Sequence, residues 1–127
     1  MFSHVMLGTD DIDLSKKFYD ATIGVLGGRP GMVDPKGRVI YLHGGSIFML
    51  TQPINGEPAS CANGSTIGFA ADSPEQADAW HKAGLEAGGT AIEDPPGMRE
   101  GAGMKLYLAY LRDPAGNKIC AMHRPAA

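Results

Sequence analysis

Two stretches of the chain carry apolar residues at helical spacing, and short apolar runs separate and follow them. In the first stretch the apolar positions recur every three or four residues, as on one face of a helix: Ile12, Phe18, Tyr19, Ile23 and Leu26. Asp10 and Asp11 precede this pattern and can cap a helix start, because a short polar side chain accepts a hydrogen bond from a free backbone N–H. Gly27 and Gly28 follow it and favour a helix end. The pattern predicts a first helix between these signals.

The second stretch contains several independent signals for the start of a helix. Ser73 can cap, Pro74 suits the first helical position, and Gln76 completes a capping box three residues after the cap. The apolar face is then supplied by a further set of residues: Ala77, Trp80, Ala83, Leu85 and Ala87. Gly88 and Gly89 end the pattern, so a second helix is predicted here.

The remaining apolar runs are short and end at Gly, Pro, Asn or Asp, which is typical of β-strands. Strands are predicted at residues 2–8, 32–33, 38–42, 46–51, 65–71, 90–92, 106–111 and 118–122. Residues 52–64 have the composition of a linker, and residues 94–105 that of a Pro- and Gly-rich loop.

The order of these elements repeats once along the chain. Phe18 and Trp80 occupy matching places in the two helices, and a Gly-Gly pair ends each helix. Each half has the order βαβββ, which is too small to bury a core alone, whereas two halves side by side can cover each other. The sequence predicts an α+β fold in one domain of residues 1–127, built from modules at about residues 1–57 and 64–124, whose curved mixed β-sheets form a cup.

Composition and charge exclude several classes of protein. A net charge of −3 and a pI of about 5.7 argue against nucleic acid or an anionic membrane as the main partner. No apolar run approaches the roughly 20 residues of a membrane span. The sequence begins without a basic segment followed by an apolar one, and two cysteines in such a chain are expected to be reduced thiols, so we expect a cytoplasmic protein.

The last predicted hairpin and two earlier features together resemble a known superfamily. Residues 113–116, Asp-Pro-Ala-Gly, form a predicted turn between two strands, because Asp, Pro and Gly each favour their positions in it. His4 lies on the first predicted strand, and the segment from Asp11 to Leu26 looks like the superfamily's first helix. In this order the features resemble the glyoxalase/bleomycin-resistance/extradiol-dioxygenase superfamily, with the vicinal oxygen chelate fold. The resemblance covers the whole chain and implies a cup between two βαβββ modules.

The resemblance also implies where a metal would bind. Metal-using members place His, Glu or Gln at four strand positions, which fall here on or next to four residues: His4, Met49, Thr66 and Cys120. Divalent catalytic metals typically need three imidazole, carboxylate or thiolate ligands, and at most His4 and Cys120 qualify. We therefore expect a degenerate metal site and no metal cofactor; the alternative is a site for Zn, Ni, Mn or Fe that uses these two residues.

Several residues are candidates for a role in the cup, and each has an ordinary structural alternative. His4 could act as acid or base or orient a ligand, or it could simply bond to the backbone. Arg99 could hold an anionic group, or be a solvated surface residue. Met49, Thr66, Tyr107 and Cys120 could line the ligand site, although Cys120 would also serve as a small core residue.

Three functions remain open at this point. The first is a small-molecule protein, expected to be a homodimer, that binds its ligand in the cup and whose reaction, if it has one, is unknown. The second is a module of the bleomycin-resistance type that sequesters a drug or metabolite without turnover. The third is a metal-dependent enzyme of the lactoylglutathione lyase or dioxygenase type, which the resemblance favours and the count of ligands opposes.

Overall fold

The computed structural model describes residues 1–125, which form two helices and nine strands. Their bounds in chain order are β1 Val5–Gly8, α1 Ile12–Val25, β2 Met32–Val33, β3 Val39–His43, β4 Ser46–Thr51, β5 Ile67–Ala70, α2 Pro74–Glu86, β6 Thr90–Ala91, β7 Gly97–Gly101, β8 Met104–Arg112 and β9 Lys118–His123. Neither helix in this part of the chain has the length and apolar character needed to cross a membrane.

The strands form two open mixed sheets with the same plan. Sheet A has the order β1-β4-β3-β2, and sheet B has the order β5-β9-β8-β6. In each sheet the first strand pairs in parallel with the last strand of its module, while the other pairs are antiparallel. The predicted α+β fold of two βαβββ modules is confirmed.

The second module contains one strand more than the sequence predicts. Residues 94–105 were expected to form a loop, yet β7 lies within them and pairs antiparallel with β8. β6 and β7 pair with different parts of β8, and Glu93 lies between them with a φ of 60°. That φ is rare for a residue with a side chain, and it marks the break between the two short strands.

Both helices begin at the capping residues that the sequence predicts. The Asp11 side chain accepts a hydrogen bond from the Leu14 N–H, and the Ser73 hydroxyl accepts one from the Gln76 N–H. The Gln76 side chain accepts a bond from the Asp72 N–H and donates another to the Val25 carbonyl at the end of α1. Gln76, the third residue of α2, therefore also links the second module to the first.

An aromatic core joins the two modules on the helix side of both sheets. Tyr19 of α1 packs against Phe48 of sheet A, with ring centroids 4.7 Å apart, and Phe48 meets Phe69 of sheet B at 5.3 Å. Phe18 and Trp80 are fully buried, one from each helix. Since both sheets turn the same side toward this core, their opposite sides carry no helix.

A buried polar network fixes the last turn of sheet B to the first module. The Tyr19 hydroxyl donates to the Asp113 carboxylate at 2.6 Å, and burial together with this carboxylate raises the Tyr19 pKa well above its usual value. The other Asp113 oxygen accepts bonds from the Ala115 and Asn117 N–H groups. The Asn117 side chain donates both to Asp113 and to the Gly8 carbonyl at the end of β1. Hydrogen bonds from this one turn therefore link the second module to the first.

Candidate functional site

The side of sheet A that faces away from the helices is apolar along its paired positions, apart from Thr51 opposite Gly8 at one end. Met6, Met49 and Ile40 lie side by side on β1, β4 and β3, because the register pairs them directly. Together with their neighbours they form what we call the apolar face: Met6, Met32, Ile40, Leu42, Ile47 and Met49. Leu42 is 56% exposed and Met32 is 55% exposed, so the chain alone leaves much of this face in contact with solvent.

The equivalent side of sheet B is mixed: polar and cationic side chains lie on it together with the apolar residues Leu106, Leu108 and Met122. Gly68, Cys120 and Tyr110 lie side by side on β5, β9 and β8. We call the polar part of this side the polar face, and we define it by these residues: Thr66, Gly68, Arg99, Tyr110, Arg112, Lys118 and Cys120. The Arg99 guanidinium and the Lys118 ammonium lie over the Tyr110 ring, at 5.6 Å and 5.0 Å from its centroid. Both contacts are cation–π interactions with the same aromatic ring.

The first two expected site residues belong to the first module. His4 precedes β1 by one residue and is exposed, with Nδ1 within 2.8 Å of the Ser3 hydroxyl. Met49 lies on β4 in the middle of the apolar face and is 9% exposed. A thioether between Met6 and Ile40 is suited to an apolar ligand surface rather than to a hard metal ion.

The other two belong to the second module and lie on the polar face. Thr66 precedes β5 by one residue and is exposed. Cys120 lies directly opposite Gly68 on the neighbouring strand, and its sulfur would lie 3.3 Å from a Cβ at Gly68, which is a close contact. Burial raises the pKa of the Cys120 thiol to about 11, so it is protonated at neutral pH. A protonated thiol is a poor nucleophile.

These four residues do not fit a divalent metal. They offer one exposed imidazole, one thioether, one hydroxyl and one neutral thiol, whereas catalytic sites typically hold the ion with three imidazole, carboxylate or thiolate groups. Across residues 1–125, no three His, Cys, Asp or Glu side chains lie close enough together to bind a metal ion. The donor chemistry therefore supports no reaction step that passes through a metal at this place.

Arg99 lies on β7 rather than in a loop, and its guanidinium is occupied by the backbone. Nη1 donates to the carbonyls of Gly97 and Leu108, and Nη2 donates to those of Asp94 and Pro95. Four backbone acceptors leave this group little capacity to hold an anionic ligand as well. Its placement supports a structural role at the start of β7.

Tyr107 and Tyr110 lie on opposite sides of β8, as alternation along a strand requires. Tyr107, the expected ligand-binding tyrosine, faces α2, where its hydroxyl donates to Asp78 at 2.6 Å. That hydrogen bond raises the Tyr107 pKa. Tyr110 is the tyrosine on the polar face, and its pKa is raised mainly by desolvation. The sequence shows that the two tyrosines point in opposite directions, but it does not show which of them faces the helix.

Two cations on the polar face were missed by sequence reasoning. Arg112 and Lys118 pair with each other across the last hairpin, one on each side of the predicted turn. They line a cavity of about 170 Å³ together with Thr66 and residues of the linker that precedes β5. The predicted four-residue turn would not have revealed this pairing, because it places Arg112 opposite Asn117, whereas the structure pairs Arg112 with Lys118.

The chain matches the family model for the glyoxalase/bleomycin resistance protein/dioxygenase superfamily over residues 1–121. It is 60% identical to a glyoxalase/bleomycin resistance protein from Albidiferax ferrireducens T118, whose crystal structure superposes with a TM-score of 0.94 and covers 98% of this chain and 99% of that one. Among the curated proteins compared, none matches.

Two more distant structures share the fold. A glyoxalase/bleomycin resistance protein/dioxygenase family enzyme from Burkholderia phytofirmans PsJN is 21% identical, with a TM-score of 0.73 over 97% of this chain and 98% of that one. A lactoylglutathione lyase from Agrobacterium tumefaciens is 22% identical, with a TM-score of 0.67 over 97% of this chain and 92% of that one. The duplicated modules, the family match and the 60% identical relative agree: the chain belongs to the glyoxalase/bleomycin resistance protein/dioxygenase superfamily.

Proposed function

We propose that the protein binds a small organic molecule between an apolar face and a polar face, and that it does so without a divalent metal. The observation that carries this proposal is the pair of helix-free sheet faces at equivalent places in the two modules. One presents Met6, Met49 and Ile40, and the other presents Gly68, Cys120 and Tyr110. Ligand sites are commonly mostly apolar with a few placed polar groups, which is the combination that these two faces provide.

The chemistry of the four family positions supports binding without a metal. A metal-dependent lyase or dioxygenase uses an ion to polarise its substrate or to stabilise charge that develops on it. His4 is exposed, Cys120 holds its proton at neutral pH, and Met49 and Thr66 carry no charge. This donor set favours a binding protein or a metal-independent enzyme over a metal-dependent lyase.

We also propose that two copies of the chain associate and that the cup closes between them. Large exposed apolar patches on soluble proteins commonly mark interaction surfaces. The apolar face is such a patch, with Leu42, Met32 and Ile47 all more than one third exposed. Within one chain, the two modules pack against each other through the aromatic core on their helix sides. A second copy of the chain is therefore a suitable source for the wall of the cup that lies opposite a helix-free face.

The cysteines support a reducing environment for this assembly. Cys61 and Cys120 are both free thiols, which is usual in the cytoplasm, and we propose that location.

A screen in the presence of a chelator tests the ligand-binding function. The full chain is mixed with a library of small metabolites in EDTA, and binding is detected as a rise in melting temperature and then measured by calorimetry. We expect ligands that bind equally well with and without EDTA. A library in which binding appears only after a divalent metal is added would contradict the proposal.

The two tyrosines of β8 provide a matched pair of variants for every ligand found. Tyr110→Ala removes an aromatic ring from the polar face and is expected to weaken binding about tenfold, because buried aromatic contacts dominate many binding sites. Tyr107→Ala removes a ring of the same size from the helix side of the same strand. It should leave the dissociation constant unchanged, and equal losses in the two variants would place the ligand elsewhere.

A further inference from the structure

The cavity at the end of the polar face has the composition of an anion site. It measures about 170 Å³ and is lined by two cationic side chains, Arg112 and Lys118, together with the hydroxyl-bearing residues Ser65 and Thr66 and the amide-bearing Asn63. One water occupies about 30 Å³ of liquid, so this space holds a single small oxyanion group with a few waters. The cavity is too small for a whole drug-sized molecule.

Arg112 has unused hydrogen-bonding capacity at this place. Its Nη1 donates to the Gly116 carbonyl at 2.7 Å, which fixes the side chain across the last turn. A guanidinium has five N–H donors, and no carboxylate among residues 1–125 forms an ion pair with this one. Arg112 is half-buried, so its charge is partly shielded from water. A half-buried guanidinium without a carboxylate partner attracts an anion.

Lys118 adds a second positive charge, which Glu93 partly offsets. It forms an ion pair with Glu93, and its ammonium also lies over the Tyr110 ring. Arg112 and Lys118 together carry two positive charges, against one negative charge on Glu93. The chain as a whole has a net charge of −3, so this local excess runs against the overall balance. Positive charge that is held close to a half-enclosed cavity raises the affinity of the cavity for an oxyanion.

We propose that Arg112 and Lys118 form an oxyanion subsite that holds a carboxylate or phosphate group of the ligand. This inference rests on the proposed ligand-binding function, because the subsite lies at the end of the same polar face and would anchor the ligand there. Planar guanidinium groups bind both carboxylates and phosphates through paired hydrogen bonds. Glu93 limits the affinity by competing for Lys118.

Amide chemical shifts of the ¹⁵N-labelled full chain test the subsite with simple anions. The chain is titrated at constant ionic strength with inorganic phosphate, sulfate and acetate, which separates tetrahedral from planar oxyanions. We expect saturable shifts centred on residues 61–66, 112 and 118. Arg112→Gln and Lys118→Gln should each weaken binding about tenfold, which corresponds to the loss of one charge-assisted hydrogen bond. The spectra also report whether each variant is folded.

Two further variants separate a built site from general charge attraction. Lys105→Gln removes the same charge from an exposed lysine that also pairs with a glutamate, Glu100, and it should change nothing. Glu93→Gln releases Lys118 and should tighten binding about threefold, because a competing carboxylate is removed. Shifts that do not saturate, or that Lys105→Gln reduces as much as Arg112→Gln does, would overturn the subsite.

The outcome for the subsite is distinguishable from the outcome for the proposed function. If the chelator screen finds a ligand that Tyr110→Ala weakens while simple anions do not bind, the subsite is overturned and the proposed function stands. If anions bind as expected and the screen finds ligands only with added metal, the subsite stands as an anion site and the metal-free function falls.

Discussion

The helix-free faces of the two modules occupy the same place in the fold and differ in chemistry. Met6, Met49 and Ile40 lie across sheet A where Gly68, Cys120 and Tyr110 lie across sheet B. On the helix side the two modules remain alike, because both contribute large aromatic or aliphatic side chains to one core. The comparison teaches that the shared core determines how the modules pack, while the free faces can take different chemistry without disturbing it.

The largest expected effect on stability comes from removing the buried hydrogen-bond network around Asp113, which links the two modules and so positions the two faces. Asp113 is 3% exposed and accepts hydrogen bonds from Tyr19, Ala115 and Asn117. Asp113→Ala should lower the free energy of unfolding by about 3 kcal/mol, since several buried donors lose their acceptor. Urea denaturation measures this loss.

Tyr19→Phe is the matched control, because it removes a single hydroxyl from the same network. It should cost about 1 kcal/mol and leave the turn intact. If Asp113→Ala costs no more than this control, the network does not hold the modules together.

Local signals explain which parts of the fold could be predicted from sequence. The helix starts at Asp11 and Ser73 depend on side chains within three residues, and the turn at residues 113–116 depends on its own four residues. β7 could not be found in this way. Gly97 and Gly101 give its segment the composition of a loop, and it is a strand because β8 offers an unpaired edge to it.

The candidate site was less predictable, because side-chain direction and bonding partners depend on tertiary structure. The superfamily resemblance located the positions of His4, Met49, Thr66 and Cys120 by alignment of motifs. It could not show that burial raises the Cys120 pKa. Composition alone likewise could not show that four backbone carbonyls occupy the Arg99 guanidinium, or that Arg112 reaches a cavity.

The second prediction concerns the apolar face. Leu42→Lys places a charge on this face near its hairpin end, so it should raise the dimer dissociation constant about a hundredfold if a second copy covers it. Light scattering coupled to size exclusion measures the mass as concentration is lowered. Ile54→Lys is the control, because Ile54 is also exposed but lies in the linker. An unchanged mass for Leu42→Lys would show that the apolar face is not the interface.

The third prediction concerns the polar face and has the smallest effect at neutral pH. With a pKa of about 11, roughly 0.1% of Cys120 is thiolate at pH 8, so alkylation of a Cys61→Ser variant should be slow. The rate should rise about tenfold per pH unit between pH 7 and 10, as expected for a reaction of the thiolate. A rate that levels off near pH 8 would instead indicate a stabilised thiolate, as in a nucleophile.

The same shift affects stability at high pH with a definite sign. The Cys120 pKa is raised in the folded state relative to its usual value of 9.0, so the folded protein favours the protonated thiol. Its contribution to the free energy of unfolding is therefore complete below about pH 9 and is lost as the pH rises toward 11. Cys120→Ala should flatten this part of the stability curve.

The central claim is that the four family positions of this chain do not bind a divalent metal. Metal binding itself is the most direct test of this claim. The purified chain is stripped with chelator, and Zn, Ni, Mn and Fe(II) are each titrated by calorimetry at neutral pH, with His4→Ala and Cys120→Ala as controls. We predict no stoichiometric binding tighter than about 10 µM, because the four positions supply too few metal-binding groups. One equivalent bound tightly, and lost in both variants, would contradict the account.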